Sequence, residues 1–174
     1  MKKYELTTNT KMHLGRKLFQ IKALVSFGGV EKGDLGGYIE KEDNLEHSGN
    51  AWVSGDALVY GNASVYGAAR VSGNALVYGN ARVSGNASVY GNALVNNASD
   101  CICFKGFGSC CRTTTMFRTK NGDILVKCGC FEGNLEEFEA KVKETHGSSK
   151  YAKEYLACAE AAKIHFEIGE NYDK

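Results

Sequence analysis

The central part of the chain repeats one pattern of apolar and polar positions every six residues. From Ala51 the sequence runs AWVSGD, ALVYGN, ASVYGA, ARVSGN, ALVYGN, ARVSGN, ASVYGN and ALVNNA, with alanine first and valine third in every hexad. Side chains two apart in a strand point to the same side, so these alanines and valines would line an interior. Glycine followed by asparagine or aspartate favours a sharp corner, because both tolerate positive φ. Three corners would close a coil of three hexads, which predicts a parallel β-helix.

These hexads resemble those of the hexapeptide-repeat family of left-handed β-helices, which includes many bacterial transferases. The resemblance rests on Val-x-Gly-Asn-Ala-x, repeated without an insertion. It implies a left-handed coil, and we place this body at residues 33–99. Before it, residues 1–32 are predicted to form a β-hairpin cap around Gly15-Arg16. Glu40 precedes Leu58 by the length of three hexads, which predicts an irregular first coil ahead of the hexads.

Stacking coils of three hexads each places one continuous apolar stripe on the outside of the predicted β-helix. Such an exposed stripe of leucine and tyrosine indicates a surface where another chain packs. We therefore predict a homo-oligomer, and the family resemblance implies a trimer. The alternative is that the C-terminal segment of the same chain covers this stripe. The predicted interface residues are Leu58, Tyr60, Leu76, Tyr78 and Leu94.

The pattern changes at Asp100, and residues 100–174 are predicted to form a small α+β unit with the order ββαα. Two strands, at 112–120 and 123–131, would be joined by Asn121-Gly122, a strong hairpin signal. Asn134 is predicted to cap a helix that ends near His146-Gly147. The fold class as a whole is mainly β.

A second helix is predicted to follow Ser148 or Ser149 as its cap and to stop at Gly169. Both helices carry an apolar face at helical spacing, which predicts that they pack on the sheet. The predicted buried positions are Leu135, Phe138 and Val142 in the first helix, and Tyr151, Tyr155, Ala159, Ala162 and Phe166 in the second.

The chain also resembles small hexapeptide-repeat proteins of phages and prophages of gut bacteria. The likeness is carried by RTTTMFR at 112–118, CGCF at 128–131, KVKETHG at 141–147 and KYAKEY at 150–155, together with KGDLGGYIE at 32–40. It covers nearly the whole chain. It implies a phage-type protein with a small C-terminal domain but no particular activity, because that family is named for its repeat.

The composition excludes several classes of partner. The formal net charge is +1, so the chain lacks the general basic field that binding to DNA or RNA requires. No apolar run approaches the roughly 20 residues of a membrane span, and the N-terminus lacks the apolar stretch of a signal peptide. We therefore predict a protein in the cytoplasm of a bacterial host cell, without a membrane partner.

Seven cysteines raise the question of a metal site. Six of them fall between Cys101 and Cys130, as two CxC pairs and one CC pair. None of these pairs has the gap of two to four residues that is common at zinc sites, and we predict reduced structural thiols with no metal and no cofactor. A structural zinc stays open as an alternative, because Cys128 and Cys130 would share one face of a strand. A catalytic cysteine beside His146 stays open as an alternative.

The strongest candidate for a binding site lies in the tail, where hydroxyls, glycine amides and two arginines occur within one short stretch. Arginine can hold phosphate through two parallel hydrogen bonds, and the start of the second helix would attract an anion. An ordinary solvated strand face is the alternative. The predicted ligand-binding residues are Ser109, Arg112, Thr114, Arg118, His146, Lys150 and Tyr151.

Three functions are compatible with these features. We favour a non-enzymatic oligomer that sequesters a phosphate-bearing nucleotide signal of bacterial immunity, by analogy with small phage proteins that do so. An acyl-coenzyme A-dependent transferase is the second hypothesis, with His47 as its candidate general base. No catalytic residue is predicted, because the hexads contain no histidine and no inserted loop. A structural assembly module is the third.

Overall fold

A computed structural model of the chain describes residues 1–168. They form two units, Met1–Ala98 and a second unit that begins at Ser99. The protein is mainly β, with a β-solenoid of about three turns in the first unit and two helices that end the second. The predicted fold class is therefore confirmed.

The solenoid contains one two-residue strand in each of the eight hexads. Strands three hexads apart pair in parallel, so that Leu58 pairs with Leu76 and Leu76 with Leu94. This pairing distributes the strands over three faces, as the hexad pattern predicts. The strands are β4 (Trp52–Val53), β5 (Leu58–Val59), β6 (Ser64–Val65), β7 (Arg70–Val71), β8 (Leu76–Val77), β9 (Arg82–Val83), β10 (Ser88–Val89) and β11 (Leu94–Val95).

Alanine and valine fill the interior of the solenoid. The first and third residues of every hexad are at most 2% exposed. Backbone amides of one coil donate to carbonyls of the next, as from Leu58 to Ala75 at 2.9 Å. The hexad glycines at the corners have φ between 61° and 72°. Each chemical role that the repeat predicts is thus observed.

An antiparallel hairpin extends one face of the solenoid. Its strands β1 (Tyr4–His13) and β2 (Arg16–Ala23) turn at Leu14-Gly15, and β2 pairs with β3 (Leu35–Ile39). From β3 the sheet continues in parallel through β5, β8 and β11. The hairpin is thus part of the same sheet as the stripe of leucine and tyrosine.

Two adjacent glycines let β3 lie close against its neighbours. A Cβ on Gly36 would come within 2.5 Å of Cγ1 of Ile21 and 2.6 Å of the carbonyl oxygen of Val53. A Cβ on Gly37 would lie 2.7 Å from the carbonyl oxygen of Ala57. Any larger residue would therefore push β3 off the first coil.

The coil that precedes the hexads is two residues longer than the regular coils. Tyr38 pairs with Leu58, whereas the regular spacing of three hexads would pair Glu40 with Leu58, so that predicted alignment is wrong. Leu45 forms an isolated parallel bridge with Val65 at the same longer spacing. In contrast, β4 pairs with β7 at the regular spacing of three hexads. The two extra residues therefore lie between Leu45 and β4. The corner before Leu45 is a short 3-10 turn, Glu42–Asn44, instead of a glycine corner.

The hairpin covers the first part of the apolar stripe. Leu58 and Tyr60 are 4% and 5% exposed and pack with Leu18 of β2. They do not lie on a free surface, so their assignment to an interface between chains is corrected. Leu76, Tyr78 and Leu94, farther along the solenoid, are half-buried.

The second unit packs two helices against a four-stranded antiparallel sheet. Met116 and Val126 of the sheet are buried against Phe138, Val142 and Ala159 of the helices. The strands are β12 (Cys101–Phe107), β13 (Arg112–Arg118), β14 (Ile124–Cys128) and β15 (Phe131–Asn134), and the helices are α1 (Leu135–His146) and α2 (Lys150–His165).

The sequence predicts the central hairpin and both helices correctly but misses the two outer strands. The order is thus ββββαα, because β12 and β15 pair on either side of the hairpin. Asn134 caps α1 and Ser149 caps α2. Tyr151 is 41% exposed, so it does not share the buried face of α2 as predicted. The predicted stop at Gly169 lies outside the described residues.

Candidate ligand-binding site

A cavity of about 330 Å³ lies at one end of the sheet in the second unit. It is bounded by the β12–β13 turn, the β14–β15 turn and α1. Its volume is at the lower end of the roughly 300–1,000 Å³ typical of small-molecule sites. The cavity is therefore large enough for one small ligand.

Aromatic and aliphatic side chains form the floor of the cavity. Phe131, Phe138, Val142 and Tyr155 all line it. The rings of Phe131 and Phe138 are 5.5 Å apart, and Phe138 meets Tyr155 edge to face at 5.9 Å. Interlocked rings of this kind give a stiff apolar surface on which a flat ring can stack.

Arg112 is the first residue of β13 and lines the cavity at its edge. Its guanidinium makes no ion pair or hydrogen bond with a residue between 1 and 168, and the residue is exposed. A Cβ on Gly129 would lie 2.1 Å from Nη1 of Arg112, and Gly129 has a φ of 59°. Glycine at this turn thus leaves the space that the guanidinium occupies.

Two further basic side chains line the same cavity. Lys141 of α1 forms an exposed ion pair with Glu144 at 2.9 Å, so its charge is partly neutralised. The ring of His146 stacks on the ring of Tyr155 at 5.6 Å. Among the described residues that line the cavity, none is aspartate or glutamate. The local charge therefore favours an anion.

Tyr155 supplies a neutral hydrogen-bond donor to the cavity. Burial, followed by the neighbouring Cys128, raises the pKa of the phenol to about 12. The phenol is therefore protonated at neutral pH. Gly108 lies close against the phenol, because a Cβ at this position would come within 2.0 Å of the phenol oxygen.

The structure brings three of the seven predicted ligand-binding residues to the cavity. Ser109, Arg112 and His146 all line it, although they are contributed by a turn, a strand and a helix. Their assembly supports the idea of one site in the tail.

The other four predicted residues lie outside the cavity, and their assignment is corrected. Thr114 is fully buried under the helices and donates its hydroxyl to the sulfur of Cys128 at 3.2 Å. Lys150 is exposed and pairs with Glu154 at 3.5 Å, while Tyr151 only contacts the edge of His146.

Arg118 lies at the opposite end of β13. Its guanidinium donates to the carbonyl oxygen of Phe166 at 3.0 Å and approaches Asp100 at 3.7 Å. The prediction that Arg112 and Arg118 share a strand face is compatible with this arrangement, but the helices cover the middle of that face. The two arginines therefore emerge about 20 Å apart, from six residues at about 3.3 Å each.

Apart from His146, the contribution of α1 to this site is absent from the sequence-based prediction. Phe138, Lys141, Val142 and Thr145 line the cavity together with His146. Their spacing of three and four residues places them on one side of a helix. This helical spacing is visible in the sequence. Because β15 is not among the predicted strands, however, the sequence gives no reason to place that side of α1 beside Arg112.

The alternatives based on a metal or a histidine base gain no geometric support. Within residues 1–168, no three cysteine, histidine or acidic side chains come close enough to hold a metal ion. The ring of His47 stacks on Tyr4 at 4.2 Å and accepts a hydrogen bond from the backbone N–H of Lys3. His47 is thus packed into the base of the solenoid.

These features define a β-solenoid repeat protein with a cavity-bearing α+β unit. Residues 51–67, 69–85 and 77–90 match a family model described as the YdcK beta solenoid repeat. The match lies within the hexads and does not reach the unit that holds the cavity. No curated protein matches the chain. Within residues 1–168, no helix has the length and apolar character needed to cross a membrane.

Proposed function

We propose that this protein is a non-enzymatic, phage-type binding protein of the hexapeptide-repeat kind, which holds a small phosphate-bearing nucleotide in the cavity of its C-terminal unit. The observation that carries the proposal is the combination of an apolar aromatic floor with the unpaired guanidinium of Arg112 at the edge. By holding the nucleotide, the protein would lower the free concentration of a signal of bacterial immunity in the cytoplasm.

The two ends of a nucleotide match the two parts of the cavity. A base is flat and apolar on its faces, so it would stack on the rings of Phe131 and Tyr155. A phosphate would accept two hydrogen bonds from Arg112 and further contacts from Ser109 and His146. An apolar pocket with a few convergent polar groups is the usual design of a small-molecule site.

The size of the cavity restricts the candidates. At about 330 Å³ it favours one nucleotide unit over a whole cyclic trinucleotide. A larger ligand would have to leave part of itself outside. Mononucleotides and the adenosine end of ADP-ribose are therefore the first ligands to test.

Isothermal titration calorimetry with mononucleotides, cyclic dinucleotides, cyclic trinucleotides and ADP-ribose derivatives tests this proposal. We expect one of them to bind with one molecule per chain and with unchanged ligand recovered afterwards. Heat from none of these compounds would remove the main support. Ligand recovered as a product would instead favour an enzyme.

We further propose that the protein is a homo-oligomer, with a trimer as the form implied by its likeness to hexapeptide-repeat proteins. The support is the part of the stripe that the hairpin does not bury. Leu76, Tyr78 and Leu94 are half-buried on one face of the solenoid, and apolar columns of this kind are commonly covered by another chain.

Replacing Leu76 by glutamate is expected to shift the protein to monomers, because a charge would then lie in the centre of the remaining stripe. Light scattering after size-exclusion chromatography measures the mass. The matched control is Ser64→Glu, which places the same charge at the equivalent hexad position of another face. An unchanged mass in Leu76→Glu, or an equal loss in both variants, would contradict this interface.

A further inference from the structure

The second unit contains a pair of thiols that the cavity does not use. Cys101 and Cys103 are two residues apart in β12 and therefore share one face of the strand. The residues that alternate with them, Ile102 and Phe104, pack against the core beneath the helices. The thiol pair thus lies on the other face of the sheet.

Cys103 is the more accessible member of this pair. It is exposed, whereas Cys101 is half-buried. Cys103 lies opposite Thr115 of β13, and its sulfur is 3.7 Å from the hydroxyl oxygen of that residue. A reagent in solution can therefore reach Cys103 first, with Cys101 directly behind it.

Each of the two neighbouring thiols changes the acidity of the other. Hydrogen bonding by the Cys101 thiol, with help from the Thr115 hydroxyl, lowers the pKa of Cys103 to about 7. The same hydrogen bonding, together with burial, raises the pKa of Cys101. The first proton of the pair is thus lost near neutral pH, and the thiolate is the nucleophilic form of cysteine.

We propose that Cys103 is a modification site for low-molecular-weight disulfides such as oxidised glutathione, and that Cys101 resolves the product. The thiolate of Cys103 attacks one sulfur of glutathione disulfide and forms a mixed disulfide, and one glutathione leaves as a thiolate. The thiol of Cys101 then gives its proton to the first glutathione thiolate, and the resulting Cys101 thiolate attacks the sulfur of Cys103, so that the second glutathione leaves as a thiolate. Two protein thiols are oxidised, and one external disulfide is reduced to two thiols.

The geometry of the strand makes this cross-link reversible. Two residues span about 6.4–6.8 Å of an extended strand, and disulfides join Cα atoms that are about 4.4–6.8 Å apart. A bond between Cys101 and Cys103 would therefore lie at the limit of relaxed geometry. Strain of this kind makes a disulfide easier to reduce.

The other cysteines differ from this pair in their surroundings. Cys130 is exposed and two residues after Cys128, but it lies in the turn between β14 and β15 and not in a strand. Cys158 is 2% exposed, and burial raises its pKa to about 11. Cys128 is half-buried, and its sulfur accepts a hydrogen bond from the hydroxyl of Thr114. Cys111 is exposed but lies in the turn after β12, outside the sheet pairing. It therefore serves as an internal control for simple accessibility.

Mass mapping of the full-length protein after treatment with oxidised glutathione tests the proposal. In the wild type we expect a Cys101–Cys103 disulfide, and in Cys101→Ser a stable mixed disulfide on Cys103. Cys111→Ser should behave as the wild type. Modification of Cys103 no faster than that of Cys111, or a mixed disulfide that persists on Cys103 in the wild type, would overturn it.

The pH dependence of alkylation by iodoacetamide gives a second readout. The rate at Cys103 should rise with a midpoint near pH 7, and Cys101→Ala should move that midpoint upward because the donating thiol is removed. At pH 7 the rate should fall about threefold, since the loss of thiolate outweighs the gain in nucleophilicity. An unchanged midpoint in Cys101→Ala would contradict the coupling. Neither experiment depends on the nucleotide proposal.

Discussion

Replacing Val77 by aspartate is expected to unfold the solenoid unit at room temperature or to lower its melting temperature by about 20 °C. Val77 is fully buried in the middle of a column, between Val59 below it and Val95 above it. The interior around it consists of alanine and valine, so a carboxylate there would have no partner. An uncompensated buried charge costs about 3–5 kcal/mol, against a total stability of roughly 5–15 kcal/mol for a domain.

Thermal unfolding followed by circular dichroism and by calorimetry measures this effect. The matched control is Asn86→Asp, which adds the same charge at an exposed corner. The chain already carries Asp56 at the same position of the first hexad, so this change should leave the stability within about 0.5 kcal/mol. A Val77→Asp protein that melts like the wild type would show that the hexads do not form a closed interior.

Replacing Arg112 by alanine is expected to weaken nucleotide binding about 100-fold, which corresponds to about 2.8 kcal/mol. The guanidinium of Arg112 has no ion-pair or hydrogen-bond partner among residues 1–168, so it is available for a phosphate. Arg112→Lys should lose about tenfold, because lysine keeps the charge but not the paired donors. Calorimetry with the ligand found for the wild type measures both values.

Arg118→Ala is the matched control for this experiment. It removes the same side chain from the other end of the same strand, where Arg118 contacts Phe166 and Asp100 outside the cavity. Its affinity should stay within about twofold of the wild type, even if the melting temperature falls by a few degrees. Equal losses in Arg112→Ala and Arg118→Ala would place the ligand elsewhere or indicate a general loss of structure.

The hexad pattern predicts the solenoid accurately because the residues that determine each coil are close together in the sequence. Every coil repeats the same alanine, valine and glycine roles, so the interior, the corners and the register follow from spacing alone. The prediction fails where the repeat breaks. The first coil has two extra residues after Leu45, and the corner before Leu45 is a polar 3-10 turn rather than a glycine corner.

The segment that packs over the apolar stripe cannot be predicted from the spacing of the hexads. Leu18 is distant from Leu58 along the chain, and nothing in the local sequence links the two residues. The sequence shows that Leu58 and Tyr60 need cover but does not show which segment supplies it. Long-range packing of the N-terminal hairpin decides that point.

The binding site shows the same division between local and long-range information. Ser109, Arg112 and His146 are predictable because their side chains have the chemistry of an anion site. Arg118 is predicted with them because it shares a strand face with Arg112, but it lies outside the cavity because the helices cover the middle of that face. Lys141 and Tyr155 are not predictable in this way, because their position depends on how α1 and α2 pack on the sheet.

Native mass spectrometry of the wild-type and Arg112→Ala proteins, purified side by side from bacterial cells, shows whether the cavity holds a nucleotide. We expect an oligomer of the wild type that carries one nucleotide-sized adduct per chain, released intact on denaturation, and an oligomer of Arg112→Ala without that adduct. A wild-type oligomer that carries no adduct and takes up none of the tested nucleotides would contradict this expectation and favour a purely structural role.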